Sequence, residues 1–316
     1  MRIVITDCDH PDVDIERRAA ADGGVELRLE QCRTEDDVVA RCADADGLLV
    51  QYAPITGRVL DALPGLKVVS RYGVGVDTVD VAAASRRGVV VANVPDYGTE
   101  EVSDHAVALL LTLARATAWY DASVKAGSWD AALQRPLHRI QGSVLGVVGF
   151  GAIGRVVARK ARGLGYEVIA HEVTADPGTT ADDGTPFVTL ADLLARSHAV
   201  SLHVPYLPAT HHLLDERRLR LMRPEALLVN TARGGLIDIQ ALMRVLDSGL
   251  LRGVALDVLE SEPPDRSDPV LRHPRVVVTP HAGWYSEESM GTLKARCVRN
   301  ALDALAGRPV AYAVTP

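Results

Sequence analysis

Three side chains in the last third of the chain carry most of its chemical capacity. They are Arg233 in VNTARGGLID, Glu262 in LDVLESEPP and His281 in TPHAGWYS, spaced 29 and 19 residues apart. Each falls where an apolar strand gives way to a loop, the end at which α/β sheets gather their chemistry. Arginine offers a planar fork of donors matched to a carboxylate or a carbonyl oxygen, at about 1.5–3 kcal/mol per charge-assisted bond. Gly234 and Gly235 beside it leave room for a ligand. An imidazole near a carboxylate is stabilised as the cation. That cation can give a proton to an oxygen that gains charge, and the neutral ring can take one back in the reverse direction. The three together suit a substrate that bears both a carboxylate and a carbonyl.

A glycine-rich turn lies upstream. Gly149, Gly151 and Gly154 in VGFGAIG follow the apolar run Val144–Val148 and open a helix expected over 153–163. An acid, Glu172, stands 21 residues beyond Gly151, where the next strand ends. This context turns a weak motif into a dinucleotide signature: one glycine for the tight turn, one for close approach of the pyrophosphate, one for helix–strand packing. The helix N-terminus then receives the anion. Glu172 suits ribose hydroxyls and repels a 2′-phosphate, and no arginine or lysine follows it in VTADPG, so NAD is favoured over NADP. A second glycine segment, SRYGVGVD, holds Arg71, Gly73, Val74 and Gly75 but lacks the third glycine. Its consecutive amides can cradle an anion of another kind.

These residues need a scaffold. Short apolar runs at 3–6, 25–29, 47–51, 66–70 and 89–93 alternate with helical stretches such as 34–43 and 79–87. A long helix is expected from Thr99 to Tyr120, then an irregular stretch Ala126–Gly142. Strands are next expected at 144–148, 167–171, 199–203, 226–230, 253–257 and 276–279, and a final helix runs from a Ser286 cap to a stop at Gly307. Strand–helix alternation of this kind reads as α/β with parallel sheets. At 316 residues the chain is about two domains long. A net charge of −7 argues against nucleic acid or an anionic membrane as a bulk partner. The longest apolar run, AVALLLTLA from Ala106, is about half of the ~18 residues a span requires. The chain opens directly into MRIVITD, and the four cysteines show no CxxC and no metal-like pairing with histidine. Reduced thiols, a cytoplasmic location and no metal are the corresponding expectations.

The combination and order of these segments resembles the D-isomer-specific 2-hydroxyacid dehydrogenases, over roughly Leu48 to Gly307. Within them, HAGWYS and DVLESEP look most like the branch containing the C-terminal-binding-protein corepressors. The resemblance implies two doubly wound parallel-sheet domains with an interdomain cleft and hinge closure. A flavodoxin-like substrate domain would comprise 1–96 plus 285–316, and a Rossmann NAD domain 97–284. It assigns the catalytic glutamate to the position directly before proline, hence Glu262 rather than Glu260. It adds Val102, Ala152, Ile153, His203, Pro205 and Thr231 to the cofactor contacts, and gives Asp257 the nicotinamide carboxamide. The amides of Val74 and Gly75, with Arg71 nearby, would bind the substrate carboxylate. Trp284 would form a pocket wall, and Tyr52 falls in a loop suited to the same pocket, which points to a medium or large apolar side chain. The implied activity is NAD-dependent interconversion of a 2-oxo acid and a D-2-hydroxy acid by a homodimer that uses the 126–142 region. An NADH-responsive scaffold for protein partners is the alternative that the corepressor branch raises.

Overall fold

The computed structural model describes residues 1–132 and 136–315. The chain divides into two compact units, Met1–Gly98 with Ser286–Pro316, and Thr99–Tyr285. The first unit is built from β1 (Arg2–Ile5), α1 (Asp14–Asp22), β2 (Glu26–Leu29), α2 (Glu35–Cys42), β3 (Gly47–Val50), α3 (Gly57–Ala62), β4 (Val68–Arg71), α4 (Val81–Arg86) and β5 (Val90–Ala92). Its sheet has the parallel order β2-β1-β3-β4-β5, the flavodoxin-like arrangement. Both faces of β3 and β4 are buried: β3 is an unbroken apolar run, and β4 ends in the buried polar pair Ser70 and Arg71. Local chemistry sets the ends: Thr34 and Asp37 form a capping box at the start of α2, and Gly88 at φ +69° takes the left-handed turn that stops α4.

The second unit contains α5 (Thr99–Arg115), α6 (Thr117–Lys125), β6 (Val144–Val148), α7 (Ala152–Gly163), β7 (Glu167–His171), α8 (Leu190–Arg196), β8 (Ala199–Leu202), α9 (Glu216–Leu219), β9 (Leu227–Asn230), α10 (Ile239–Asp247), β10 (Gly253–Leu256) and β11 (Val276–Val278). Its six parallel strands run β11-β10-β9-β8-β6-β7. The direction of strand addition reverses at β6, between β7 on one side and β8 on the other, so a crevice opens beyond the carboxyl end of β6. One face packs Leu110, Leu113, Val157 and Ala161 of α5 and α7, and the other packs Leu193, Leu242 and Val245 of α8 and α10.

The last helix, α11 (Glu287–Leu305), belongs to the first unit. It starts in a Ser286–Ser289 capping box and lies on β3 and β4, where Ser70 Oγ donates to the Cys297 carbonyl at 2.8 Å. All four cysteines are free thiols, and burial pushes Cys42 up to about 12 and Cys8 to about 11.

One expectation is corrected. The helix read as continuous from Thr99 to Tyr120 is two helices, because Ala116 adopts φ +55° and ends α5. A left-handed residue breaks the repeating hydrogen-bond ladder and redirects the chain. Alanine carries no outward sign of that conformation. The irregular stretch after α6 includes residues 133–135, which lie outside the described residues. No helix among the described residues is long and apolar enough to cross a membrane.

Candidate active site

The turn after β6 has the shape an anion needs. Gly149 sits at φ +91°, and a Cβ there would come within 2.6 Å of the His203 backbone, so β6 and β8 approach too closely for any side chain. A Cβ on Gly154 would overlap the Gly149 carbonyl, which explains the close packing of α7. Gly151 differs, because nothing lies within 4 Å of its Cβ position. It caps α7 without any side-chain hydrogen bond, so the first amides of the helix, from Ala152 and Ile153, face open space. Glu172 is tied to this turn: its Oε2 accepts from the Phe150 amide at 2.9 Å.

Around the turn, His203 bonds Ser201 Oγ through Nε2 at 2.8 Å, and burial pushes its imidazole down to about 4, so the ring is neutral at physiological pH. Thr231, 8% exposed after β9, has a buried Oγ1 with no partner among the described residues. Pro205 follows β8 in an exposed loop, and Val102 is half-buried in the first turns of α5. A pyrophosphate for the open amides and an acceptor for the orphaned hydroxyl are what a dinucleotide supplies, so these residues fit that group.

The three chemical side chains come from the loops after β9, β10 and β11. Arg233 Nη1 donates to the Ala232 carbonyl at 2.8 Å, and its own carbonyl is held by Asn230 Nδ2 at 2.9 Å. Gly234 lies flat against the Leu259–Glu260 peptide, where a Cβ would overlap the Leu259 carbonyl. This contact joins the arginine loop to the glutamate loop. Glu262 Oε1 accepts from the Leu259 amide at 2.9 Å, and Oε2 meets His281 Nδ1 at 2.6 Å. With Nδ1 donating to the carboxylate, Nε2 is the ring nitrogen left for exchange. It has no partner among the described residues. Glu260 engages another ring instead, His212 Nε2 at 2.5 Å.

His281 itself is at φ +54°, a conformation that must be held in place. Asp257 holds it. The Asp257 carbonyl accepts from the His281 amide at 2.8 Å, and Oδ1 accepts from Thr279 Oγ1 at 2.5 Å and the Ala282 amide at 2.9 Å. Oδ2 accepts from the Gly283 amide at 2.9 Å, and His105 Nε2 from α5 approaches Oδ1 at 3.2 Å. Burial alone would raise this carboxyl; the bonds from His105, Thr279 and the two amides outweigh it and hold it below the usual carboxylate range. Trp284 and Tyr285 follow at once, edge to face at 5.7 Å.

On the first unit, Arg71 ends β4 with its guanidinium lying over Gly73, whose φ of +131° and missing Cβ make the space. Neither the Val74 nor the Gly75 amide has an acceptor among the described residues. The Tyr52 loop is set by Asp7, which accepts from the amides of Gln51, Tyr52 and Ala53 at 3.2, 2.6 and 3.2 Å. The exposed Tyr52 ring is carried on this fixed backbone.

The structure adds residues that the sequence reading passes over. His105 and Thr279 complete the Asp257 network, with His105 Nε2 and Thr279 Oγ1 2.9 Å apart. His105 precedes Ala106 and Leu109 on the packed side of α5, and a titratable residue beside an apolar stripe is the signal that marks it. Tyr206, against which Gly235 packs, bonds His211 Nδ1 at 3.0 Å. No spacing rule points to it.

Residues 107–283 match the family described as D-isomer specific 2-hydroxyacid dehydrogenase, NAD binding domain. The chain is 35% identical to a glycerate dehydrogenase of Methylorubrum extorquens over 287 residues, covering 89% of each. It is 39% identical over 288 residues to a D-3-phosphoglycerate dehydrogenase of Mycobacterium bovis, covering 90% of this chain and 54% of that protein, so it spans about half the length of that relative. Among solved structures it is similar to a D-lactate dehydrogenase of Aquifex aeolicus, complexed with NAD and lactic acid, with a TM-score of 0.88, 27% identity and 99% of each chain covered.

Proposed function

Since the chain belongs to the D-isomer-specific 2-hydroxyacid dehydrogenases, we propose that it reduces a 2-oxo acid to a D-2-hydroxy acid, and runs the reverse oxidation, with NAD as the cofactor. The observation that carries this reading is the 2.6 Å contact of His281 Nδ1 with Glu262, which leaves Nε2 available. The glycine turn and Thr231 would hold the reduced cofactor, which when bound would supply the hydride for the carbonyl carbon. Arg233 orients the substrate by its carboxylate or carbonyl oxygen. The open amides of Val74 and Gly75, with Arg71, bind the carboxylate. As negative charge grows on the carbonyl oxygen, the His281 imidazolium gives it a proton from Nε2, and Glu262 stabilises that cation beforehand. Oxidation uses the same nitrogen, neutral, as the base. Asp257 positions the loop that carries it, and its remaining acceptor capacity suits the cofactor's carboxamide.

The aromatic pair Trp284 and Tyr285 supports an apolar side chain on the substrate. With the DVLESEP segment, it also supports the corepressor-like branch. Turnover is favoured over a scaffold role, because the relatives reported are dehydrogenases and the imidazole is set up for proton exchange. A homodimer is supported by the face around α6, where Trp129 is 90% exposed beside a cavity of about 770 Å³ lined by Tyr120, Val124, Pro136 and Leu137. The test is NADH consumption over a panel of 2-oxo acids, with His281→Ala as the control. We expect at least one good substrate, and a fall of about 10²–10⁴ in the variant. Undiminished activity in the variant overturns the proton-donor role.

A further inference from the structure

Far from the chemistry, at the amino-terminal ends of β6, β8, β9 and β10, a second cavity of about 210 Å³ opens in the second unit. Arg139, Arg223 and Arg252 line it, with His138, His198 and one acid, Glu225. Some arginines of this chain find carboxylates, as Arg58 does with Glu35 at 3.1 Å and Arg244 with Glu216 at 2.8 Å. The three that line this cavity have none among the described residues. Arg139 and Arg223 are exposed, and their side chains make no hydrogen bond or ion pair with any described residue. Arg252 is half-buried; among the described residues its side chain bonds the Pro136 carbonyl alone, at 3.2 Å, and keeps a buried Nε without a partner. The one acid is already engaged, since Glu225 Oε2 meets His138 Nε2 at 2.9 Å.

His198 adds a neutral donor. Its Nδ1 accepts from the Val144 amide at 2.9 Å, so the uncharged ring carries its proton on Nε2. Burial first, then the positive charges of Arg223 and His138, hold this histidine below its ordinary range. Three guanidinium groups without carboxylate partners around a space of this size form a receptor without its counter-ion.

We propose that this cavity is a binding site for a small phosphate-type oxyanion, separate from the catalytic loops: inorganic phosphate or the phosphate group of a small monoester. The ligand takes charge-assisted bonds from Arg139, Arg223 and Arg252 and a bond from His198 Nε2. The site does not depend on the assigned reaction.

The test uses the intact protein with saturating NADH, so that the glycine turn is filled, and titrates inorganic phosphate and glycerol phosphate in parallel. Binding is read from the His198 ring resonance, assigned with His198→Gln. Because an anion stabilises imidazolium, saturating ligand is expected to shift the His198 titration to higher pH. The Arg139→Ala/Arg223→Ala double variant changes two side chains that are exposed in the single chain. Arg139 lies in the 126–142 stretch given to the homodimer, so the oligomeric state is checked by sedimentation. At unchanged oligomeric state the variant is expected to weaken binding by about tenfold or more. Response to phosphate alone assigns the free ion; response to both assigns the phosphate group, ester included. A His198 resonance that answers to neither ligand, or equal affinity in the double variant, overturns the proposal.

Discussion

The proposed chemistry depends on how an ordinary histidine is placed. His281 reaches Glu262 through Nδ1, while its left-handed backbone is fixed by the Asp257 carbonyl and by the amides that Asp257 gathers. Ring and backbone are thus held by two different acids. Glu262→Gln keeps an oxygen within reach of Nδ1 but removes the negative charge opposite the ring, so 2-oxo acid reduction should slow by about 10²-fold, the low end of what a general acid supplies. Reduction rates of the two proteins at saturating cofactor decide the matter, and an unchanged rate refutes the pairing. At this scale the sequence is readable in part. Arg233, Glu262 and His281 stand out because titratable residues at strand ends are rarely idle. The choice between Glu260 and Glu262 is not in the spacing. It depends on the turn that sends one acid to His212 and the other to His281. The Asp257–Thr279–His105 network joins three separate elements, so no local pattern contains it.

Elements are set by where backbones touch. Gly149 allows β6 to lie against the end of β8, and Gly234 allows the arginine loop to lie against the glutamate loop. Gly234→Ala pushes a Cβ into the Leu259 carbonyl, and backbone cannot yield as a flexible side chain would. We expect kcat/KM to fall by about 10²-fold, the scale of an ångström of misplacement, with about 1–3 kcal/mol lost in stability. Gly163→Ala, at the end of α7 with nothing within 4 Å, is the control and should cost nothing. Kinetics and denaturant melts of both variants provide the measurement; normal turnover in Gly234→Ala would show that the loop contact is dispensable. Strands are legible at this scale because buried parallel strands read as plain apolar runs, and their observed ends lie within a residue or two of the expected ones. The division between α5 and α6 is not, because an alanine at φ +55° leaves no trace in composition or periodicity.

At the scale of the molecule, the first unit is closed by the last helix. Lys294 on α11 is 2% exposed and bonds Asp12 Oδ1 at 2.8 Å, next to Glu16, whose Oε1 accepts from Tyr72 at 2.9 Å. Burial raises the Glu16 carboxyl above its usual range. A chain ended at Tyr285 loses this cation and the cover over β3 and β4, while β6 to β11 keep their neighbours. Hydrogen exchange on the truncated chain should show β1–β5 amides near unfolded rates and β6–β11 still protected. Protection throughout would mean that α11 is an accessory. The parallel α/β class is plain from alternation, whereas the return of the final helix to the first sheet is a long-range fact that no local pattern records.

That return also orders events during synthesis. Residues 1–98 leave the ribosome well before α11 exists, so their sheet waits with one apolar side uncovered while the middle of the chain, 99–285, finds all its partners as it emerges. The usual progression from the amino terminus is therefore inverted. The opening half thus depends on whatever shields its bare sheet until the last helix arrives.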